Sequence, residues 1–300
     1  MDMTQNKCCR HGASLRRRRR RRRKILCFII FSCSIIAVAV FVAVGSRMIT
    51  SGDGRTNKYD VEAGNNTYDN TVIENSKISE KNKIQNNQSM LDDIMNSTQY
   101  PKQLKDLALK NEEALEFVYD YPAEHVKEHT IDLTEEASMD SVPLFVQWDK
   151  RWGYEKYSGN FFAASGCGPT TLSMVVVYLT HNRDASPIAV AKYSKEAGYS
   201  VDGSGSSWTL ISEGCRHYGV KAKTVALDES RMKAELDEGH PIVVNVGPGD
   251  FTDTGHFMVI TGYDDEGFSI NDPNSIEKSG KRWLFKNISS QIRAVWSMYV

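Results

Sequence analysis

The residue best suited to chemistry is a cysteine at the start of a predicted helix. Residues 165–170 read Ser-Gly-Cys-Gly-Pro-Thr, and the mostly apolar residues 171–179 continue without a helix breaker. A helix N-terminus carries partial positive charge and unpaired N–H groups, which favour the thiolate and can bind an oxyanion. The sequence therefore predicts that Cys167 is a nucleophile, and the alternative is a small buried apolar residue. The flanking Gly166 and Gly168 are expected to leave room for a substrate backbone.

A histidine and an aspartate in the second half of the chain could complete a site with this cysteine. His256 begins an apolar strand after a glycine-containing loop, and Asp272 follows the next strand along the chain. The histidine would accept the thiol proton and later donate it to a leaving amine, and the aspartate would hold the imidazole in one tautomer. A regular hairpin pairs His256 with Ser275 and leaves Asp272 roughly 10 Å short. A β-bulge, or a break at Pro273, is therefore needed to bring the two together.

Other assignments remain open at these positions. Asn271 and Asn274 are alternatives to the aspartate as the partner of the histidine. Asp272 could instead only cap a turn before its proline, and His256 could be a structural residue of its strand. Gln147 could point its amide N–H at an oxyanion beside the backbone N–H of the cysteine, although a glutamine next to a tryptophan is by itself ordinary.

Elements that could position these residues are predicted over residues 140–300, a length sufficient for one hydrophobic core. Helical patterns cover residues 171–179, 188–197 and 208–218. Strand patterns cover residues 142–148, 220–226, 241–246, 256–263, 268–271 and 294–299. Helices followed by an antiparallel sheet indicate an α+β fold, in which one buried helix carries the cysteine and packs on the sheet.

Charge and hydropathy divide the N-terminal part of the chain. Residues 1–24 contain 11 of the 37 Lys and Arg residues and one of the 38 acidic residues, and residues 25–45 are uncharged and largely apolar. About twenty such residues are enough for a transmembrane helix, and the positive-inside rule keeps residues 1–24 in the cytoplasm. We therefore expect a single-pass protein of the cell membrane with the remainder of the chain extracellular. The arginine run is interpreted as a topology signal and not as a nucleic-acid site.

Two further segments precede the main domain. Residues 46–99 are rich in asparagine and charged residues, with only scattered apolar ones, which predicts a disordered tether. Apolar residues at helical spacing over residues 101–118 predict a helical lead-in that packs on the main domain. The expected organisation is a basic cytoplasmic tail (1–24), a transmembrane helix (25–45), a disordered tether (46–99), a helical lead-in (100–139) and the main domain (140–300).

The motifs of the main domain together resemble a known family. They are Val142-Pro143 with Gln147 and Trp152, residues 165–170 with Met174, Gly255-His256-Phe257 with residues 262–264, and Asn271-Asp272-Pro273. Over about residues 142–300, this pattern is similar to the peptidase C39-like domain of the papain-like cysteine peptidases. The resemblance implies a papain-like fold with these roles: Cys167 as nucleophile, His256 as general base, Asp272 as orienting residue and Gln147 as oxyanion donor.

We therefore expect a membrane-tethered extracellular cysteine peptidase or amide hydrolase that acts on a peptide or protein. A cofactor, a metal ion and a nucleic-acid partner are not expected. The alternative is a catalytically silent surface binding module with the same fold. The reactivity of the thiol separates the two, because a binding module has no need of an accessible thiolate.

Overall fold

The computed structural model describes residues 67–300, and it describes their side chains from residue 80 onwards. The predicted basic tail, the predicted transmembrane helix and the first part of the predicted tether lie outside the described residues. Within residues 67–300, no helix is long and apolar enough to cross a membrane.

The N-terminal part of the described chain is helical. It consists of α1 (Thr67–Asn96), α2 (Lys102–Lys110), α3 (Leu115–Tyr119), α4 (Tyr121–Glu124) and α5 (Thr134–Ser138). The described part of the predicted tether (46–99) is helical up to Asn96 and differs there from the disorder expected from the sequence. The physical reason is an apolar stripe in the last turns of this helix, where Ile94 is fully buried and Met90 and Leu91 pack beside it. The polar composition of the whole segment hid this stripe.

These helices join the rest of the chain through one apolar cluster, called the N-terminal cluster below. Its buried members are Ile94, Leu104, Leu107, Ala108, Ala114, Leu115, Phe117, Val118, Phe161 and Ala163. A hydrogen bond also connects these helices to the rest of the chain. Nδ2 of Asn111 donates to the carbonyl oxygen of Asn274 at 2.9 Å. The positions of α2 and α3 agree with the helices predicted over residues 101–118.

The first half of the main domain surrounds one long buried helix. Its helices and strands are β1 (Lys156–Tyr157), β2 (Asn160–Phe161), α6 (Phe162–Ser165), α7 (Cys167–Thr180), α8 (Pro187–Glu196), β3 (Ser200–Val201), β4 (Gly205–Ser206) and α9 (Thr209–Ser212). Residues 168–177 of α7 are all buried, as their apolar sequence predicts. α7 ends at His181, whose left-handed φ of 57° stops the helix. The predicted helix over residues 208–218 is divided into α9 and a 3₁₀ turn at Gly214–Tyr218.

The second half of the domain forms a six-stranded sheet. Its helices and strands are β5 (Lys221–Thr224), α10 (Glu229–Asp237), β6 (Ile242–Val246), β7 (His256–Asp264), β8 (Gly267–Asn271), α11 (Ile276–Ser279), β9 (Arg282–Trp283), α12 (Phe285–Ile288) and β10 (Ile292–Tyr299). The strand order is β5-β10-β6-β7-β8-β9, and every neighbouring pair is antiparallel. The prediction of an α+β fold, with a buried helix packed on an antiparallel sheet, is confirmed.

Several elements differ from the sequence prediction. Residues 142–148 form no strand and instead run beside β8, where the Asn271 side chain donates to the carbonyl oxygens of Val142 (3.1 Å) and Pro143 (3.0 Å). α10 and β9 have no counterpart among the predicted elements. The start of α10 does carry a local signal, because Asp228 caps it by accepting from the backbone N–H of Arg231 at 3.0 Å.

Both faces of the sheet are covered by apolar side chains. One core contains Leu172, Met174, Val175, Val176 and Val177 of α7 with Val243, Phe257, Val259, Trp296 and Met298 of the sheet. The opposite core contains Met232 and Leu236 of α10 with Val244, Met258, Ile260, Ile270 and Val295 of the sheet. Successive residues of β7 thus alternate between the two cores, as the two-residue period of a strand requires. β7 is therefore fixed from both sides, and His256 is its first residue.

Candidate active site

Cys167 is the first residue of α7, and its side chain is partly exposed. One turn later, the hydroxyl of Thr171 donates to the carbonyl oxygen of Phe257 at 3.1 Å, which fixes the start of α7 against the start of β7. Cys167 therefore lies beside His256, close enough for each side chain to shift the pKa of the other. The first N–H groups of a helix have no acceptor within it, so those of α7 can serve a bound oxyanion.

His256 is hydrogen-bonded to a buried aspartate. Its Nε2 donates to Oδ1 of Asp272 at 2.7 Å, and the two residues are 6% and 0% exposed, respectively. Because Nε2 is occupied by the aspartate, Nδ1 is the nitrogen left to face the thiol of Cys167. The aspartate thus holds the tautomer in which Nδ1 can accept a proton.

A β-bulge at Thr261 makes this contact possible. The pairing of β7 with β8 shifts by one residue there, so Thr261 is the extra residue of the hairpin. Side chains of a strand alternate between faces, and a shift of one residue exchanges the faces. With the bulge, the register puts Asp272 on the same face as His256 and two residues away, within reach of a diagonal contact. The chain then breaks from the strand, with a bridge between Asp272 and Ser275. The sequence requires either a bulge or a break at Pro273, and the structure has both.

Asn271 and Asn274, the alternatives to Asp272, form other contacts. The Asn271 amide donates to the carbonyl oxygens of residues 142 and 143, and Oδ1 of Asn274 accepts from Nδ2 of Asn111 at 3.1 Å. Oδ1 of Asp272 also accepts from the backbone N–H of Asn274 at 2.8 Å, so the aspartate caps its turn as well as contacting the histidine. Its second oxygen, Oδ2, is buried without a hydrogen-bond partner among the described residues.

The cysteine, histidine and aspartate shift one another's protonation equilibria. Burial raises the pKa of Cys167, but the hydrogen bond and positive charge of His256 outweigh it and, with two backbone N–H groups, lower that pKa below its ordinary value. Burial lowers the pKa of His256, but the Asp272 carboxylate and the cysteine outweigh it and raise that pKa to about 10. Both shifts favour a thiolate beside an imidazolium.

Gln147 lies at the same site. It is buried, its Nε2 donates to the carbonyl oxygen of Ala163 at 2.6 Å, and its backbone N–H donates to that of Pro273 at 2.7 Å. It lines the same cavity as Cys167 and His256. Because an amide nitrogen carries two hydrogens, one remains for an oxyanion. The structure therefore brings together all four predicted site residues.

The two glycines that flank the cysteine are close to neighbouring side chains. A β-carbon at Gly166 would lie 2.6 Å from the ring of Phe162, and one at Gly168 would lie 2.5 Å from the hydroxyl of Ser206. These distances are too short for any other residue type without a shift of the neighbour. Packing within the protein is therefore enough to account for both glycines.

A cleft crosses Cys167 and has a cavity on each side of it. The first, of about 480 Å³, is lined by His256, Gln147, α2 and residues 249–255, and we call it the histidine-side cavity. The second, of about 700 Å³, is lined by residues 203–206, Trp208 and Arg293 among others, and we call it the arginine-side cavity. Cys167 lines both cavities, so a chain lying along the cleft would pass over the thiol.

Two parts of this cleft have no signal in the sequence. α2 contributes Gln103, Asp106, Leu107 and Lys110 to the histidine-side cavity, although its sequence indicates only an amphipathic helix. Arg293 is equally hidden, because a charged residue is ordinary on the solvent side of a strand. Among the described residues, no group of three or more His, Cys, Asp and Glu side chains could hold a metal ion.

Residues 139–300 match the model of the Peptidase_C39 like family. Among solved structures, the chain is similar to the peptidase domain of Streptococcus ComA, a bi-functional ABC transporter involved in a quorum sensing pathway. The two are 19% identical with a TM-score of 0.37, over 45% of this chain and 90% of that chain. The chain is also similar to a Bacillus anthracis protein described as a C39-like peptidase, with 16% identity and a TM-score of 0.34, over 53% of this chain and 95% of that chain. No curated protein matches the chain.

Proposed function

Because the chain belongs to the Peptidase_C39 like family, we propose that it is a cysteine peptidase or amide hydrolase whose nucleophile is Cys167. The observation that supports this proposal is the series of contacts from Cys167 through His256 to Asp272. The pKa shifts of the cysteine and the histidine favour a thiolate beside an imidazolium, the state in which a cysteine attacks a carbonyl. A peptide or protein chain is the substrate that fits this chemistry. It also fits a cleft that extends on both sides of the thiol.

In the first half of the proposed reaction, the thiolate sulfur attacks the carbonyl carbon of the scissile amide. A C–S bond forms, and the oxyanion accepts hydrogen bonds from the backbone N–H of Cys167 and from the free Nε2–H of Gln147. His256 then gives its Nδ1 proton to the leaving nitrogen. The C–N bond breaks, an amine departs and a thioester remains.

In the second half, water releases the acyl group. Nδ1 of His256 takes a proton from the water, whose oxygen attacks the thioester carbonyl. The C–S bond breaks, the carboxylic acid leaves, and the thiolate and imidazolium are restored. Asp272 orients the imidazole and stabilises its charged form throughout. An amine in place of water would give transfer with the same residues.

The proposed role of Gln147 can be tested separately from that of the thiol. Gln147→Ala would remove the side-chain donor to the oxyanion and lower kcat by about 10²–10³. The rate of iodoacetamide alkylation at Cys167 would not change, because that reaction forms no oxyanion. A parallel loss of alkylation would show that Gln147 supports the fold and not the oxyanion.

The proposed nucleophile is tested by the rate of iodoacetamide alkylation at Cys167 against pH, read by peptide-resolved mass spectrometry on the full-length protein. Because the pKa of Cys167 is lowered, the thiolate persists below the range of an ordinary thiol, and the rate falls only as the pH drops through the lowered pKa. His256→Ala should remove this shift. Cys215 is an internal control, because it is fully buried and burial raises its pKa to about 11. A slow profile, unshifted and equal in both proteins, would instead favour the catalytically silent binding module.

We further propose that residues 25–45 anchor the protein in the cell membrane as a single span, with residues 1–24 in the cytoplasm and the peptidase domain outside. The supporting observation is the sequence itself, in which 11 basic residues directly precede an uncharged apolar stretch. A protease added to intact cells should digest residues 67–300. Digestion only after lysis, or release of the protein by an alkaline wash, would contradict the proposal.

A further inference from the structure

Arg293 differs in charge from the other described residues that line the arginine-side cavity. Among the described residues that line this cavity, it is the only one with a charged side chain apart from the thiolate form of Cys167. The residue is exposed, and no described carboxylate lies within ion-pair distance of it. The cleft therefore contains a guanidinium that forms no ion pair with a carboxylate of residues 80–300.

A β-bulge places this guanidinium at the cleft. The pairing of β10 with β6 shifts by one residue between Ile292 and Ala294, so Arg293 is the extra residue. Bulges turn a side chain away from the direction that the regular strand would give it, and they are frequent beside active sites. A β-carbon at Gly247 would lie 2.7 Å from Nε of Arg293, so the side chain rests against the bare backbone of that glycine. The bulge and the glycine together position the charge.

The proposed reaction assigns the two cavities to two parts of the substrate. His256 has to protonate the leaving nitrogen, and it lines the histidine-side cavity but not the arginine-side cavity. The leaving group therefore lies in the histidine-side cavity. The acyl part of the substrate, which precedes the scissile bond, lies in the arginine-side cavity.

We propose that the arginine-side cavity binds an acidic side chain of the substrate, located on the N-terminal side of the scissile bond, through Arg293. This inference rests on the proposed function. A guanidinium can donate two parallel hydrogen bonds to one carboxylate. Trp208, 47% exposed in the same cavity, offers an apolar surface to the methylene groups of a Glu or Asp side chain. A terminal carboxylate does not fit this position, because the acyl part of the substrate ends in the scissile carbonyl.

The other cavity gives no comparable preference. The described lining of the histidine-side cavity includes carboxylates of Asp106, Asp250 and Asp253 together with the ammonium groups of Lys110 and Lys278. Because this lining contains charges of both signs, it does not favour a substrate group of one particular charge. We therefore expect selection for an acidic residue before the scissile bond and not after it.

The test uses N-acetylated tripeptidyl chloromethyl ketones, in which alanine is replaced by Glu or Gln at one position at a time. The Cys167 sulfur forms a bond to the methylene carbon of the probe, and chloride leaves, so the peptide part occupies the acyl side of the cleft. The rate of adduct formation on Cys167 is measured by mass spectrometry in full-length wild type, Arg293→Gln and Arg293→Lys. Arg231→Gln is the matched control, because Arg231 is exposed and lines neither cavity.

At one probe position, wild type and Arg231→Gln should react about tenfold faster with the Glu probe than with the Gln probe. The ratio should fall to about one in Arg293→Gln and remain partly in Arg293→Lys, which keeps the charge but not the fork of donors. A ratio near one at every position in wild type, or a ratio that Arg293→Gln leaves intact, would overturn the proposal. The ratio can be read even from an ordinary thiol, so its outcome is independent of the iodoacetamide profile. A preference without an activated thiol would contradict the proposed function and leave only the binding of an acidic side chain at Arg293. An activated thiol without a preference would contradict this inference alone.

Discussion

Oδ1 of Asp272 has two hydrogen-bond donors, the ring of His256 and the backbone N–H of Asn274, while Oδ2 has none among the described residues. A fully buried carboxylate is costly unless a positive charge lies beside it. The imidazolium of His256 supplies that charge. The ionised aspartate and the protonated histidine therefore stabilise each other, and the thiolate of Cys167 depends on both.

We expect Asp272→Asn to keep the geometry and lose the charge. An amide oxygen can still accept from Nε2, but the pKa of His256 should fall from about 10, and the pKa of Cys167 should then rise. The alkylation profile of Cys167 should therefore move to higher pH, with a loss of about tenfold in rate for each unit of the shift at pH values below the pKa of Cys167.

Asp264→Asn is the matched control for this change. Asp264 lies at the other end of β7, in an exposed ion pair with Arg282 at 2.6 Å. Its loss should leave the alkylation profile in place. An unshifted profile in Asp272→Asn would mean that the aspartate only caps its turn.

The residues of the site differ in how far the sequence could predict them. Cys167 and His256 carry local signals, namely glycine and proline around a helix start and a polar residue at the start of an apolar strand. The distance between His256 and Asp272 could not be predicted, because it depends on a bulge at Thr261 that only the pairing of two strands reveals. The position of Arg293 in the cleft could not be predicted for the same reason, because a second bulge determines the direction of its side chain.

At the scale of elements, α11 depends on a residue far away in the sequence. The carboxylate of Glu113 accepts from the hydroxyl of Ser275 and from the backbone N–H groups of Ile276 (2.7 Å) and Glu277 (3.1 Å). These are free N–H groups at the start of α11, so Glu113 acts as an N-cap supplied by another element. The turn that it fixes also contains Asp272.

We expect Glu113→Ala to lower the free energy of unfolding by about 1–2 kcal/mol, the usual cost of a lost N-cap. Glu116→Ala is the control, because Glu116 is exposed in the next turn of the chain and does not reach α11. Chemical denaturation of the two variants measures the difference. Equal stabilities would show that water replaces the carboxylate without cost.

Elements with a clear period were predicted, and elements that depend on distant partners were not. α7 and β6 through β8 have buried apolar runs bounded by breakers, and the structure places them within a few residues of the predicted bounds. Residues 142–148 have the composition of a strand. However, the carbonyl groups of Val142 and Pro143 accept hydrogen bonds from the Asn271 side chain and not from the backbone of a neighbouring strand. α1 was missed because its apolar stripe has a partner only in the N-terminal cluster.

At the scale of the whole molecule, the folded unit is larger than the matched family region. That region starts at residue 139, whereas the N-terminal cluster joins α1, α2 and α3 to Phe161 and Ala163 inside the region. α2 also forms a wall of the cleft. Residues before 139 are therefore part of the core and of the site.

We expect Phe117→Ala to lower the free energy of unfolding of the entire described unit by about 3–5 kcal/mol. Phe117 is 3% exposed and stacks on Tyr154 with ring centroids 4.2 Å apart. Tyr119→Ala is the control and should cost less than about 1 kcal/mol, because Tyr119 is 38% exposed. A single transition moved to lower temperature is the expected calorimetric result. A separate early transition would show that the N-terminal helices unfold on their own.

The strand order has a consequence for biosynthesis. β10 follows every other strand of the sheet in the sequence, yet it lies between β5 and β6 and carries Arg293. A ribosome therefore has to deliver residues 292–299 before β5 has its neighbour in the sheet and before the cleft has its second wall. The thiol is translated more than a hundred residues earlier. Cys167 is therefore synthesised before every strand of the six-stranded sheet, so its position beside His256 and the walls of its cleft can form only late in translation.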